Sequence, residues 1–233
     1  MQKRVLQDLT KDRLRYFQEL FSIIITMKII IYLFLTILLF STLNAKEKLI
    51  TPKLIEDANK KYKIYAKNRF IAIDEKLIEG LKDASEIKKL NTVNTWVNFT
   101  KYKSDMKVYG VSDYWATLYE FIGKGKGDCE DYTIAKYYIL KELGVDPKKL
   151  KFTYVIYKDR KGRKISHMVL SYLKVPNPKS KDDFLILDNN NRLVLPASKR
   201  PDLIKVIKMI NGDTGAKSKK WKKLEAGMKR KKL

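Results

Sequence analysis

The chain has 233 residues, 45% hydrophobic and 33% charged, a composition that excludes wholesale disorder and allows one domain with its own core plus extra segments. A formal charge of +24 suits anionic lipid, acidic protein surfaces or nucleic acid as partners, or simply a solvated lysine-rich surface. The single cysteine, Cys129, rules out an internal disulfide.

Residues 27–45, MKIIIYLFLTILLFSTLNA, read as a secretory signal peptide. Lys28 precedes an apolar run from Ile29 to Phe40, and the small residue Ala45 marks the exit, with Leu43 bulky at the −3 position. Export to the periplasm follows, which sets nucleic acid aside as a partner. Residues 1–26 are then an upstream over-read, or a cytoplasmic flank if Phe21–Phe40 is an uncleaved anchor. The part beyond Ala45 keeps 44 basic and 23 acidic side chains.

An α+β domain is expected over residues 46–212. Thr51-Pro52 starts a helix, a hydroxyl cap followed by proline at the first helical position. Leu54, Ile55, Ala58, Tyr62 and Ala66 recur at helical spacing. A second helix spans 85–102, with Leu90, Val93, Val97 and Tyr102 facing inward. Asp113 caps a short aromatic helix over 114–122. Three glycines in GKGKGDCEDY (123–132) make a flexible loop, and Asp128 caps a helix from Cys129 to Leu143 that stops at Gly144. Strands follow at 152–157, 166–173, 184–188 and 192–195, the first two joined by a polar hairpin loop over 158–164. Helices first and an antiparallel sheet after define the class. Residues 213–233 form a basic tail, nine Lys/Arg against Glu225 from Ala216 onward. The tail reads as a mobile extension able to touch anionic surfaces.

A cysteine attacks only as thiolate, and a helix N-terminus lowers its usual pKa of about 8.5 through unpaired N–H groups and the dipole. Cys129 occupies such a position, and its neighbouring N–H groups suit an oxyanion. The sole histidine, His167, begins one strand and Asp188 ends the next, so the carboxylate can orient the imidazole. The spacing equally allows a buried Cys129 with His167 hydrogen-bonded at the sheet edge.

VNTWVN (93–98), DYWATLYEF (113–121), GDCEDYTIAK (127–136), HMVL (167–170), LDN (187–189) and RPDL (200–203) resemble, in order, the bacterial transglutaminase-like cysteine proteases of the LapG type. Leu118 stands where a proline is expected, and the basic tail lies outside the pattern. The resemblance implies a papain-like core, N-terminal helices packed on an antiparallel sheet, with a triad of Cys129, His167 and Asp188. It implies a periplasmic enzyme that cuts the N-terminal region of a large surface adhesin at adjacent alanines. It further implies a need for calcium and restraint by an inner-membrane receptor that senses cyclic di-GMP, so that biofilm attachment follows the nucleotide. Asp128 and Glu130 match the family's calcium ligands and Asp131 stands beside them. Three carboxylates around a thiolate raise its pKa unless a cation offsets them, although acids in a first helical turn also complement the dipole. GKGKG lacks the Gly-Lys-Ser/Thr of a phosphate loop. Tyr114 and Trp115 read as core or cleft wall, and Asn189 as an aid to Asp188 or the start of a turn. The other readings are a transglutaminase or amidase on the same scaffold, and a non-enzymatic basic binding protein.

Overall fold

The computed structural model describes residues 2–43, 47–212 and 219–233, in two units divided after Lys48. The expected cleavage point at Ala45 lies outside the described residues. The N-terminal unit is one helix, α1 (Gln2–Leu43). Its stretch Phe17–Thr36, of mean hydropathy 1.9, is long and apolar enough to cross a membrane, a property that signal sequences share. Thr26 and Thr36 turn their hydroxyls back onto the carbonyls of Ser22 and Leu33, which satisfies them inside the apolar run.

The second unit opens with α2 (Pro52–Tyr62), where the Thr51 hydroxyl accepts the Leu54 N–H at 3.3 Å. The helical spacing that continues in sequence to Ala66 is broken at Lys63, a non-glycine at φ 68. The chain resumes as α3 (Ile64–Ile71), which widens into π-helical turns over Ala72–Glu79. α4 (Glu86–Val97) starts at the Ser85 cap and buries Leu90, Val93 and Val97. Tyr102 is not on its inner face: it sits exposed in the short strand β1 (Lys101–Tyr102). After α5 (Asp105–Tyr109), residues 114–117 form no helix. The next helix, α6 (Leu118–Lys124), is capped by Thr117 rather than Asp113. A capping box decides this: the Thr117 hydroxyl accepts the Glu120 N–H, and Glu120 reaches back to the Thr117 N–H at 3.0 Å. β2 (Lys126–Gly127) pairs in parallel with β1, and α7 (Cys129–Glu142) follows.

The sheet comprises β3 (Leu150–Lys158), β4 (Lys164–Leu173), β5 (Phe184–Asp188), β6 (Asn191–Pro196) and β7 (Leu203–Asn211), all antiparallel in the order β6-β5-β4-β3-β7. β7 has no counterpart in the expected elements. One sheet face, through Phe152, Met168 and Leu170, shares the main core with Ile134 and Tyr137 of α7. The other carries a small cluster of Val155, Val169 and Ile186.

The basic tail is not a loose extension. It folds as α8 (Lys219–Lys229), whose Trp221, Leu224 and Met228 enter the core between outward lysines. Trp221 meets Trp115, Tyr137 and Phe152 edge-on. The chain end is also tied down: Lys232 O accepts the Thr117 hydroxyl at 2.7 Å, and its ammonium lies 2.9 Å from Glu120.

Candidate active site

The loop that delivers Cys129 is ordered, contrary to its glycine content. Gly125 ends α6 at φ 62, its N–H on the Phe121 carbonyl, a left-handed cap that glycine adopts without penalty. At Gly127 a Cβ would come within 2.5 Å of Asp131 Oδ2 and 2.8 Å of Phe121 Cδ2, so only glycine lets the backbone approach. Asp128 then stands at the N-cap of α7 with its N–H donating to Asp131 Oδ2 at 3.3 Å. The Thr133 hydroxyl, shared between Cys129 O at 2.8 Å and Met168 O at 3.2 Å, ties this first turn to β4.

Cys129 and His167 line one cleft of about 230 Å³ with Trp115, Tyr154 and Met168. Trp115 is thus cleft wall, as its sequence context suggested. The Cys129 thiol lies 3.1 Å from Glu130 Oε2. Burial pushes its pKa up, and the Glu130 and Asp128 charges push it further; a backbone hydrogen bond from Met168 opposes them. Ionising this thiol therefore requires positive charge close by.

His167 sits in β4 opposite Val155, and its Nε2 is 2.8 Å from Asp188 Oδ1. With Nε2 committed to the carboxylate, Nδ1 is the ring nitrogen available as a base. Asp188 ends β5 and is fully buried. Arg200 Nη2 donates to Asp188 Oδ2 at 2.6 Å while Nε and Nη2 hold Asp202 at 2.9 and 2.7 Å. Burial opposes charge on Asp188, but hydrogen bonding to His167 and the charges of His167 and Arg200 outweigh it and hold the carboxyl well below the usual range.

The residues that hold this aspartate come from α4 and its C-cap, far from it in sequence. Asn98 Nδ2 donates to Asp188 O at 2.8 Å and to Asn191 O at 3.1 Å, and Asn94, one turn earlier, donates to Asn191 O and Arg192 O. The signal was present as two asparagines four apart in VNTWVN. The neighbour of the dyad is Asn190, not Asn189: its N–H donates to Asp188 Oδ1 at 2.9 Å and its amide approaches His167 Nε2 at 3.5 Å. The Asn189 amide donates instead to Asn190 Oδ1 at 3.2 Å.

The acids divide differently from the expected set of Asp128, Glu130 and Asp131. Oxygens of Asp105, Asp128 and Asp131 lie within 4.8 Å of one another, and so do those of Asp105, Asp113 and Glu130. Asp105, delivered by α5, is therefore common to both trios, and Glu130 belongs to the second. Asp131 spends its oxygens on the N–H groups of Ala116 and Asp128. Asp105 Oδ1 and Asp128 Oδ1 are buried without a hydrogen-bond partner among the described residues. Burial pushes Asp105 up to about 6, burial with the Glu130 charge pushes Asp128 up to about 7, and burial raises Asp131 well above its ordinary value. Orphaned hard oxygens at this spacing fit a calcium ion.

A family model described as bacterial transglutaminase-like cysteine proteinase matches residues 72–229. The match thus runs through α8. Legionella pneumophila LapG superposes with a TM-score of 0.62 at 35% identity, covering 77% of this chain and 96% of that one. Its calcium-bound form gives 0.59 at 34% identity, covering 77% and 99%, and its EGTA-treated form 0.60 at 33%, covering 77% and 96%. Comparison with curated protein sequences finds no match.

Proposed function

Because the chain belongs to the bacterial transglutaminase-like cysteine proteinase family, we propose that it is a periplasmic, calcium-dependent endopeptidase acting through Cys129, His167 and Asp188. The observation that carries the reading is a thiol at the start of α7 in one cleft with an imidazole whose other nitrogen is held by a buried aspartate. The Cys129 proton passes to His167 Nδ1, and the thiolate attacks the peptide carbonyl. N–H groups of the first turn of α7 receive the oxyanion. His167 protonates the departing amine, and water taken up with His167 as base releases the acyl group and restores the thiol. Asp188 stabilises the imidazolium that forms in between. Asp105, Asp128 and Asp131, with Glu130 and Asp113 alongside, would hold the calcium ion, whose positive charge would offset the acids that disfavour the thiolate.

The natural substrate in this reading is the N-terminal region of a large surface adhesin. The inhibitor is an inner-membrane receptor with a periplasmic domain that responds to cyclic di-GMP. Both rest on the sequence resemblance. Incubation with the adhesin region encoded nearby should give shorter fragments with new N-termini. Cys129→Ala should abolish cutting, and a chelator should suppress it reversibly. Cutting by Cys129→Ala would refute the mechanism, and full activity after calcium removal would refute the metal requirement. Cross-linked or deamidated products would move the chain to the transglutaminase or amidase class. Native protein should begin at Lys46; an intact N-terminus would favour a membrane anchor.

A further inference from the structure

The catalytic cleft continues past Cys129 and His167. Trp115, Tyr154 and Lys220 line both it and a second cavity of about 490 Å³ that extends to β7. The aromatic rings of Trp115 and Tyr154 and the aliphatic chains of Ile207 and Ile210 form apolar walls. The charged lining is of one sign, Lys208, Lys219 and Lys220.

A β-bulge builds this extension. Tyr154 pairs with Lys208 while the next residue, Val155, pairs with Val206, so Ile207 is the extra residue in β7. Consecutive strand residues ordinarily point to opposite faces. Here Ile207 and Lys208 both line the cavity, the kind of re-aiming that bulges produce. Lys220 is paired with Asp113. Among the described residues, Lys208 and Lys219 form no ion pair, and both are exposed.

We propose that this extension is a substrate subsite that takes an aspartate or glutamate side chain of the polypeptide being cut, with Lys208 and Lys219 receiving the carboxylate. The proposal rests on the endopeptidase reading. An extended chain advances about 3.3 Å per residue, and the two cavities share a wall, so the acidic residue falls within about four positions of the scissile bond. A short aliphatic stem ending in a carboxylate matches apolar walls topped by ammonium groups, whereas a basic residue meets like charge.

The test is digestion of a library of randomised peptides by the full protein with calcium, the new ends being read by mass spectrometry against a Cys129→Ala blank. Asp and Glu should be enriched roughly five-fold at one fixed position, the scale of a partly exposed ion pair, and less so at high salt. In Lys208→Glu/Lys219→Glu, Lys and Arg should replace them at that position; in Lys208→Gln/Lys219→Gln, the preference should vanish. Cutting without acidic enrichment, or enrichment that survives charge reversal, overturns the subsite and leaves the endopeptidase reading intact. No cutting above the blank overturns both.

Discussion

Asp188 is gripped by His167 on one oxygen and Arg200 on the other, an arrangement that lets a buried carboxylate stay charged and serve the imidazole. Asp105 presents the opposite case. Its Oδ1 is buried beside Asp128 and Asp131 with no hydrogen-bond partner among the described residues, so without a cation the neighbouring carboxylates repel one another. Asp105→Asn should relieve part of that repulsion and remove a ligand at once. The metal-free variant should melt higher than the wild type, while calcium affinity by titration calorimetry falls by about ten-fold or more, the scale seen when metal-site support is removed. A metal-free variant that melts lower, with calcium affinity unchanged, would remove Asp105 from the site.

At the scale of elements, α8 behaves as part of the core. Trp221 is 5% exposed and lies against Tyr137 and Phe152, which are themselves buried. Truncation of a large aromatic in such a place costs about 3–5 kcal/mol. Trp221→Ala should lower the urea midpoint accordingly, and removal of residues 216–233 should cost at least as much. A tail deletion that leaves the unfolding curve unchanged would return α8 to the status of an appendage. α8 also reaches the candidate site, since its Lys220 lines the cleft shared by Cys129 and His167. α4 has a comparable double role, its core face carrying Leu90 and Val93 while Asn94 and the C-cap Asn98 hold the turn after Asp188.

For the whole molecule, one buried charge sets an expected pH response. Lys136 in α7 is 1% exposed, and burial, with a smaller push from Arg200, brings its pKa down to about 7 against the pull of Asp188. Between about 7 and its unfolded value near 10.4, the unfolded chain binds the proton and the native chain does not. Stability should therefore rise with pH through this window and be lost as pH falls towards 7. Lys136→Met should flatten that rise and be more stable than wild type at neutral pH. Urea unfolding of both proteins from pH 6.5 to 10 measures it, and parallel profiles would show that Lys136 keeps its ordinary titration.

Starts of helices were legible wherever the cap is local. Thr51-Pro52, Ser85 and Asp128 each bond an N–H within three residues or stand at the cap position, and the strand at 184–188 matches β5 in full. Asp113 does not cap a helix because Thr117 and Glu120 form the reciprocal cap four residues on. β7 is not legible in the sequence because its bulge interrupts the alternation that marks a strand. α8 was hidden by its lysines, since solvated charge on one face says nothing of the tryptophan on the other.

The sequence by itself determined the class of the molecule and offered three candidate groups: a thiol at a helix start, the imidazole of the one histidine and a carboxylate at a strand end. Only the tertiary structure decided what surrounds them. It brought Asp105 to Asp128 across 23 residues, Arg200 to Asp188, and a C-terminal lysine to the mouth of the cleft. Caps and alternation arise from sterics and hydrogen bonds between near neighbours, so the local sequence specifies them. The electrostatics of a buried site depend on which distant charges share a low-dielectric space, and packing alone settles that.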